Sequence, residues 1–177
     1  MIPLSIPNIS GNEWKYVKEC IDSGWISSAG EYVNKFETAI QNYTGVKYAV
    51  ACMNGTAGLQ VSLKLAKVSA KDIVIAPNLT FVATLNAISY LGAEITLIDV
   101  CEDSWQMDID LLQNWLENKT VTKFVNNKPI TTEKISGKKI GAILPVYVLG
   151  GFIDIEKLVK ISSTYGIPLI EDSTEAL

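Results

Sequence analysis

Apolar positions along this chain follow two rhythms. Up to residue 46 the rhythm is helical. Ser10-Gly-Asn-Glu13 has capping-box spacing and precedes Trp14, Val17 and Ile21 on one helix face, and Gly24 closes that helix. Beyond the loop Trp25-Ile-Ser-Ser-Ala-Gly30, the residues Val33, Phe36 and Ile40 predict a second helix that stops at Gly45. From residue 48 onward, short apolar runs at 48–53, 72–76, 94–98, 140–144 and 167–170 alternate with helical stretches, which predicts βαβ units around a mainly parallel sheet.

The helices between those runs are read from three sets: Phe81, Leu85 and Ile88; Ile109, Leu112 and Leu116; and Ile155, Leu158 and Val159. The last has Asp154 as its cap and Gly166 as its stop. One segment fits two periods. Leu59, Val61, Leu63 and Leu65 alternate as in a strand, while Leu59, Leu63 and Ala66 share a helix face; length and position between two strands favour the helix. Residues 119–139 are polar, rich in Lys, Thr and Asn, and read as a surface excursion.

Composition narrows the function. The chain has 177 residues, 48% of them apolar, with 15 basic against 19 acidic side chains and no basic stripe for nucleic-acid phosphates. The N-terminus lacks a signal-peptide pattern and no run approaches the roughly 18 apolar residues of a membrane span, so no membrane association and a cytoplasmic location are the expectation. There is no histidine, which excludes a Ser-His-Asp triad and a histidine-ligated metal within this chain. Cys20, Cys52 and Cys101 are expected to be reduced core fillers, and no metal site is expected. What remains is carboxylate, lysine, thiol or cofactor chemistry.

Three junctions carry candidate chemistry. Asn54-Gly-Thr-Ala-Gly58 opens a helix after an apolar run, where free amides could hold a phosphate; Asn-Gly is equally a hairpin signal. Phe81, after the run at 72–76, is either a core residue of its helix or an aromatic face at the ligand edge. Asp172 and Glu175, after the last run, are either a helix cap with a first-turn acid or carboxylates facing a ligand. Together the three provide an anion cradle, an aromatic face and an acid at one sheet edge. Those parts suit a phosphorylated, cationic, planar heterocycle, and pyridoxal 5'-phosphate is the cofactor that fits.

The blocks Pro7-Asn-Ile-Ser-Gly-Asn-Glu-Trp14, Gly24-Trp-Ile-Ser-Ser-Ala-Gly30, Asn54-Gly-Thr-Ala57, Pro77-Asn-Leu-Thr-Phe-Val-Ala-Thr84 and Glu171-Asp-Ser-Thr-Glu175 resemble the DegT/DnrJ/EryC1/StrS nucleotide-sugar aminotransferases. The resemblance runs from residue 3 to 177 and spans less than half of a typical member. It implies an α/β fold of the aspartate-aminotransferase type (fold type I), with a helical segment at 1–46 and an incomplete pyridoxal-phosphate-binding large domain at 47–177. By position it implies that Gly55, Thr56 and Ala57 hold the cofactor phosphate, through the amides of Thr56 and Ala57. Phe81 would stack on the ring, Asp172 would pair with the ring nitrogen and Glu175 with the ring hydroxyl.

The loop at Trp25, Ile26 and Ser27, with Asn54, would approach the sugar nucleotide. Tyr147 stands where relatives often have histidine. The first two blocks look most like the branch that aminates UDP- or GDP-linked 4-keto-6-deoxy-N-acetylhexosamines with glutamate as donor. The Schiff-base lysine is expected beyond Leu177, together with the small C-terminal domain and part of a homodimer interface, so the 177 residues alone are expected to be inactive. A dehydratase of the same family and a non-catalytic partial lobe are the alternatives.

Overall fold

The computed structural model describes residues 2, 3 and 6–176, which divide into two compact units, one up to Ala51 and one from Cys52 onward. The first unit holds α1 (Glu13–Ser23) and α2 (Glu31–Thr44). Gly24 and Gly45 close these helices at φ 74 and 75, a left-handed conformation that glycine adopts without a Cβ penalty. The capping box does not form. Asn12 precedes α1 without a side-chain cap, the Ser10 hydroxyl donates to Asn8 Oδ1, and Glu13 instead accepts from the Gly11 amide at 2.9 Å. Tyr16 and Tyr32 pack with ring centroids 5.2 Å apart, and neither helix contains a buried residue.

The run at 48–53 adopts no strand. The Ala51 amide donates to the Glu37 carboxylate at 2.8 Å, so it cannot serve a sheet ladder, and Tyr48 and Met53 stay exposed. An apolar run marks a strand only where a neighbouring strand awaits it.

The second unit contains α3 (Gly55–Leu65), β1 (Asp72–Pro77), α4 (Val82–Ser89), β2 (Glu94–Ile98), α5 (Ile109–Lys119), β3 (Thr120–Val125), β4 (Lys128–Glu133), β5 (Lys139–Ile143) and α6 (Ile155–Tyr165). The five strands form one sheet in the order β2-β1-β5-β4-β3. β1 runs parallel to both β2 and β5, while β4 is antiparallel to β3 and β5. β1 is buried along its whole length because both its faces are covered. Ile73 and Ile75 pack with Leu112 and Leu116 of α5 and Leu158 and Ile161 of α6, whereas Val74 and Ala76 pack with Leu59 and Leu63 of α3 and Ala87 and Ile88 of α4. The result is helix, sheet and helix in three layers.

Residue 141 is an extra residue in β5, since Ile73 pairs with Ile140 and Val74 with Ala142. A Cβ at Gly141 would lie 3.0 Å from the Asp72 Cβ, so glycine lets the bulge sit against β1. The excursion expected at 119–139 is the β3–β4 hairpin. Asn126 and Asn127 form its two-residue loop at φ 50 and 60, the conformation of a tight hairpin turn. The run at 167–170 appears as parallel bridges beside β5, Ile143 with Leu169, continued by Val146 with Asp172. None of the three cysteines is the core filler expected: Cys52 is exposed and the others are half-buried. No helix among the described residues is long and apolar enough to cross a membrane.

The ambiguous segment is the helix α3, and its burial follows the helical period. Leu63 is fully buried while Leu65, which a strand would place on the same face, is 78% exposed. Leu63→Ala is therefore expected to cost about 2–5 kcal/mol and Leu65→Ala within about 0.5 kcal/mol, measured by urea denaturation of the whole chain. Equal losses would contradict the helical packing.

Candidate functional site

β1 and β5 both end at the edge of the sheet where their C-terminal loops gather, the edge at which open α/β folds bind ligands. There the second unit has a cavity of about 340 Å³, lined among others by Gly55, Thr56, Phe81, Tyr147, Asp172 and Glu175. No lysine lines it among the described residues.

α3 supplies the anion-friendly wall. Asn54 adopts an extended backbone and caps the helix, its Oδ1 accepting from the Ala57 amide at 2.9 Å and its carbonyl from Gly58. That leaves the Gly55 and Thr56 amides without a hydrogen-bond partner among the described residues, at the positive end of the helix. The turn is a helix start and not a hairpin.

Phe81 is the residue just before α4, extended at φ −67 and ψ 139. It is 78% exposed and lines the cavity, so it is not the core residue that its spacing also allowed.

Asp172 is buried, and its carboxylate accepts on both oxygens. The Thr84 hydroxyl donates to Oδ2 at 2.7 Å, and the Thr174 hydroxyl donates to Oδ1 at 2.7 Å. Glu175 is exposed and accepts from the Leu149 amide at 2.6 Å. Leu149 makes that bond from a left-handed backbone, φ 55 and ψ 26, within the 3-10 turn Val148–Gly150. The Tyr147 hydroxyl donates to Glu171, and burial, with that hydrogen bond second, pushes the phenol above its ordinary range.

Of the residues expected from sequence, Gly55, Thr56, Phe81, Asp172 and Glu175 thus meet in one cavity. Asn54 and Ala57 stand behind it as a cap and its donor. Trp25, Ile26 and Ser27 lie in the first unit, between α1 and α2, where Trp25 and Ser27 line an open groove with Glu19 and Tyr32. The Tyr32 hydroxyl donates to Glu19, a bond that raises the phenol to about 12.

Sequence reasoning missed Thr84 and Thr174. Thr80 and Thr84, spaced i and i+4 at the start of α4, were a visible hint of a polar face there.

These parts line one cavity at the ligand edge of a sheet with helices over both faces. The donor set suits a phosphorylated cationic ring: free amides for the anion, an aromatic face, and a fixed carboxylate for the cation.

The chain belongs to the DegT/DnrJ/EryC1/StrS aminotransferase family, whose model matches residues 7–177. It is 35% identical over 175 residues to a GDP-perosamine synthase of Escherichia coli O157:H7, covering 99% of this chain and 43% of that protein. It is also 35% identical over 176 residues to EpsN of Bacillus subtilis (strain 168), provisionally named a pyridoxal phosphate-dependent aminotransferase, covering 99% of this chain and 42% of EpsN. A family aminotransferase from Brucella abortus superposes with a TM-score of 0.80 at 26% identity, covering 92% of this chain and 40% of that structure. The chain thus spans less than half the length of the relatives it matches.

Because the folded state favours the protonated Tyr147 phenol, its stabilising contribution is complete below the ordinary tyrosine value of 10.0 and is lost as pH rises beyond it. Urea midpoints of the wild type are expected to fall between pH 8 and 11 by more than those of Tyr147→Phe. Identical pH slopes would contradict the buried, protonated phenol.

Proposed function

We propose that this chain carries the cofactor-binding end of a pyridoxal 5'-phosphate-dependent aminotransferase. Its reaction converts a UDP- or GDP-linked 4-keto-6-deoxy amino sugar to the 4-amino sugar with glutamate as amino donor. The observation that carries this reading is the meeting of two unpaired amides, an exposed aromatic ring and a doubly hydrogen-bonded carboxylate in one cavity. Family membership and the relatives' names support the reaction class and a nucleotide-linked sugar substrate.

When bound, pyridoxal phosphate supplies an electron sink through which an amino group passes from donor to ketone. The residues of this chain hold and orient it. The Gly55 and Thr56 amides take the phosphate at the start of α3, with the Ala57 amide committed to Asn54. Phe81 stacks on one face of the ring. Asp172 accepts from the ring nitrogen and keeps its positive charge in place, while Glu175 accepts from the ring hydroxyl.

Trp25, Ile26, Ser27 and Asn54 are assigned to the sugar nucleotide. Over the complete exchange the C4 ketone oxygen is replaced by an amino group and a hydrogen, and glutamate becomes 2-oxoglutarate. The whole enzyme is expected to work as a homodimer.

Calorimetric titration of the purified chain separates the phosphate seat from the ring seat. Pyridoxamine 5'-phosphate is expected to bind at least about tenfold more tightly than pyridoxamine, the difference coming from amide contacts to the phosphate. Equal affinities would remove the phosphate role of Gly55 and Thr56. Absence of binding by both would remove the cofactor assignment.

A further inference from the structure

We infer that Thr84 is the positioning residue that aims the Asp172 carboxylate at the cofactor ring nitrogen and ties that aim to Phe81. The inference rests on the cofactor reading above. Thr84 is fully buried in the first turn of α4. A buried hydroxyl needs a partner, and in a helix the ordinary one is the carbonyl four residues back. Ser23, Thr44, Ser89, Ser163 and Thr164 all make that bond within their helices. Thr84 does not. Its hydroxyl reaches across 88 residues to Asp172 Oδ2 at 2.7 Å.

The direction of that bond is set by the carboxylate, which only accepts. The Thr84 proton goes to Asp172, so Thr84 Oγ1 can only accept from the Thr80 hydroxyl 3.0 Å away, whose single proton is shared with the Phe81 carbonyl at 3.3 Å. Thr174 holds the other carboxylate oxygen, but it lies two residues from Asp172 and moves with the same turn. Among the described residues, only Thr84 anchors the carboxylate to a different element. That element begins directly after Phe81, so the ring-stacking side chain and the brace of the acid share one rigid helix start. With both oxygens braced, the remaining lone pairs of Asp172 keep a fixed direction toward the cavity it lines.

The test titrates pyridoxamine 5'-phosphate carrying a ¹⁵N-labelled ring into wild type, Thr84→Val, Thr84→Ser and Thr80→Val, following affinity and the ring-nitrogen shift against pH. In Thr84→Val, affinity is expected to fall about tenfold or more, as for loss of a hydrogen bond to a charged group. Its ring nitrogen should also lose its proton at lower pH than in the wild type. Thr84→Ser should restore both, and Thr80→Val should shift the nitrogen in the same direction by less.

A merely structural role would lower the urea midpoint of Thr84→Val and leave the ring-nitrogen pH profile where it was. Should Thr84→Val not fold, the Thr80→Val profile decides: a downward shift supports the relay and an unchanged one overturns it. Binding by the wild type with an unchanged profile in Thr84→Val overturns the inference alone. No binding by the wild type overturns it together with the cofactor reading.

Discussion

Residues 168–172 exchange four backbone hydrogen bonds with the end of β5 and the segment that follows it to Tyr147, and the ligand edge of the second unit is positioned through them. Ile143 donates to the Pro168 carbonyl, Ile170 to Ile143, Asp172 to Pro145 and Tyr147 to Asp172. Side chains alternate along this parallel pairing. Leu169 packs into the core layer of α5 and α6, and Ile170 into that of α3 and α4. Asp172 therefore faces the α3 and α4 side, where Thr84 waits, while Glu171 turns the other way to meet Tyr147. A one-residue slip would exchange the two acids. The apolar pair Leu169 and Ile170, each fitted to its own layer, opposes that slip.

The same alternation explains which parts were legible in the sequence. β1 and β5 are apolar because both faces of the central sheet are covered, so their runs stand out without any knowledge of neighbours. α6 was equally plain, because Asp154 accepts from the Lys157 amide and Gly166 turns left-handed, both local events. The run at 48–53 has the same composition as a strand, but its fate depends on Glu37, a residue on a helix, capturing the Ala51 amide. The hairpin at β3 and β4 was hidden for the opposite reason. Its threonines make long-range bonds, Thr122 to Thr131 and Thr131 to the Tyr165 carbonyl, that no local period records.

The candidate site divides along the same line. Gly55, Thr56, Phe81 and Asp172 each stand where a run of chain turns at the ligand edge, a position that can be inferred from order along the sequence alone. What fixes them cannot. Thr84 and Asp172 are brought together by strand order and layer, and the hydroxyl that braces the acid looks in the sequence like an ordinary helical threonine. The Leu149 amide that holds Glu175 depends on a left-handed backbone at a residue type that seldom adopts one.

These facts bear on how a site of this kind can be stiff while built from loops. The Gly55 and Thr56 amides belong to α3, Phe81 leads into α4, and Asp172 is bridged to Val146 just past β5, so each group is attached to or beside a packed element of the second unit. Glu175 is the exception: it is exposed and is braced by the 3-10 turn at Val148–Gly150. That turn is itself held from below, since the buried Gln106 amide donates to the Val148 carbonyl at 2.9 Å and leaves no room for a Cβ at Gly151. Rigidity thus grades across the cavity, from the bridged acid at Asp172 to a turn-borne acid at Glu175. In the cofactor seat proposed above, the acid assigned to the ring nitrogen is the stiffly held one, and the acid assigned to the ring hydroxyl is the one free to adjust.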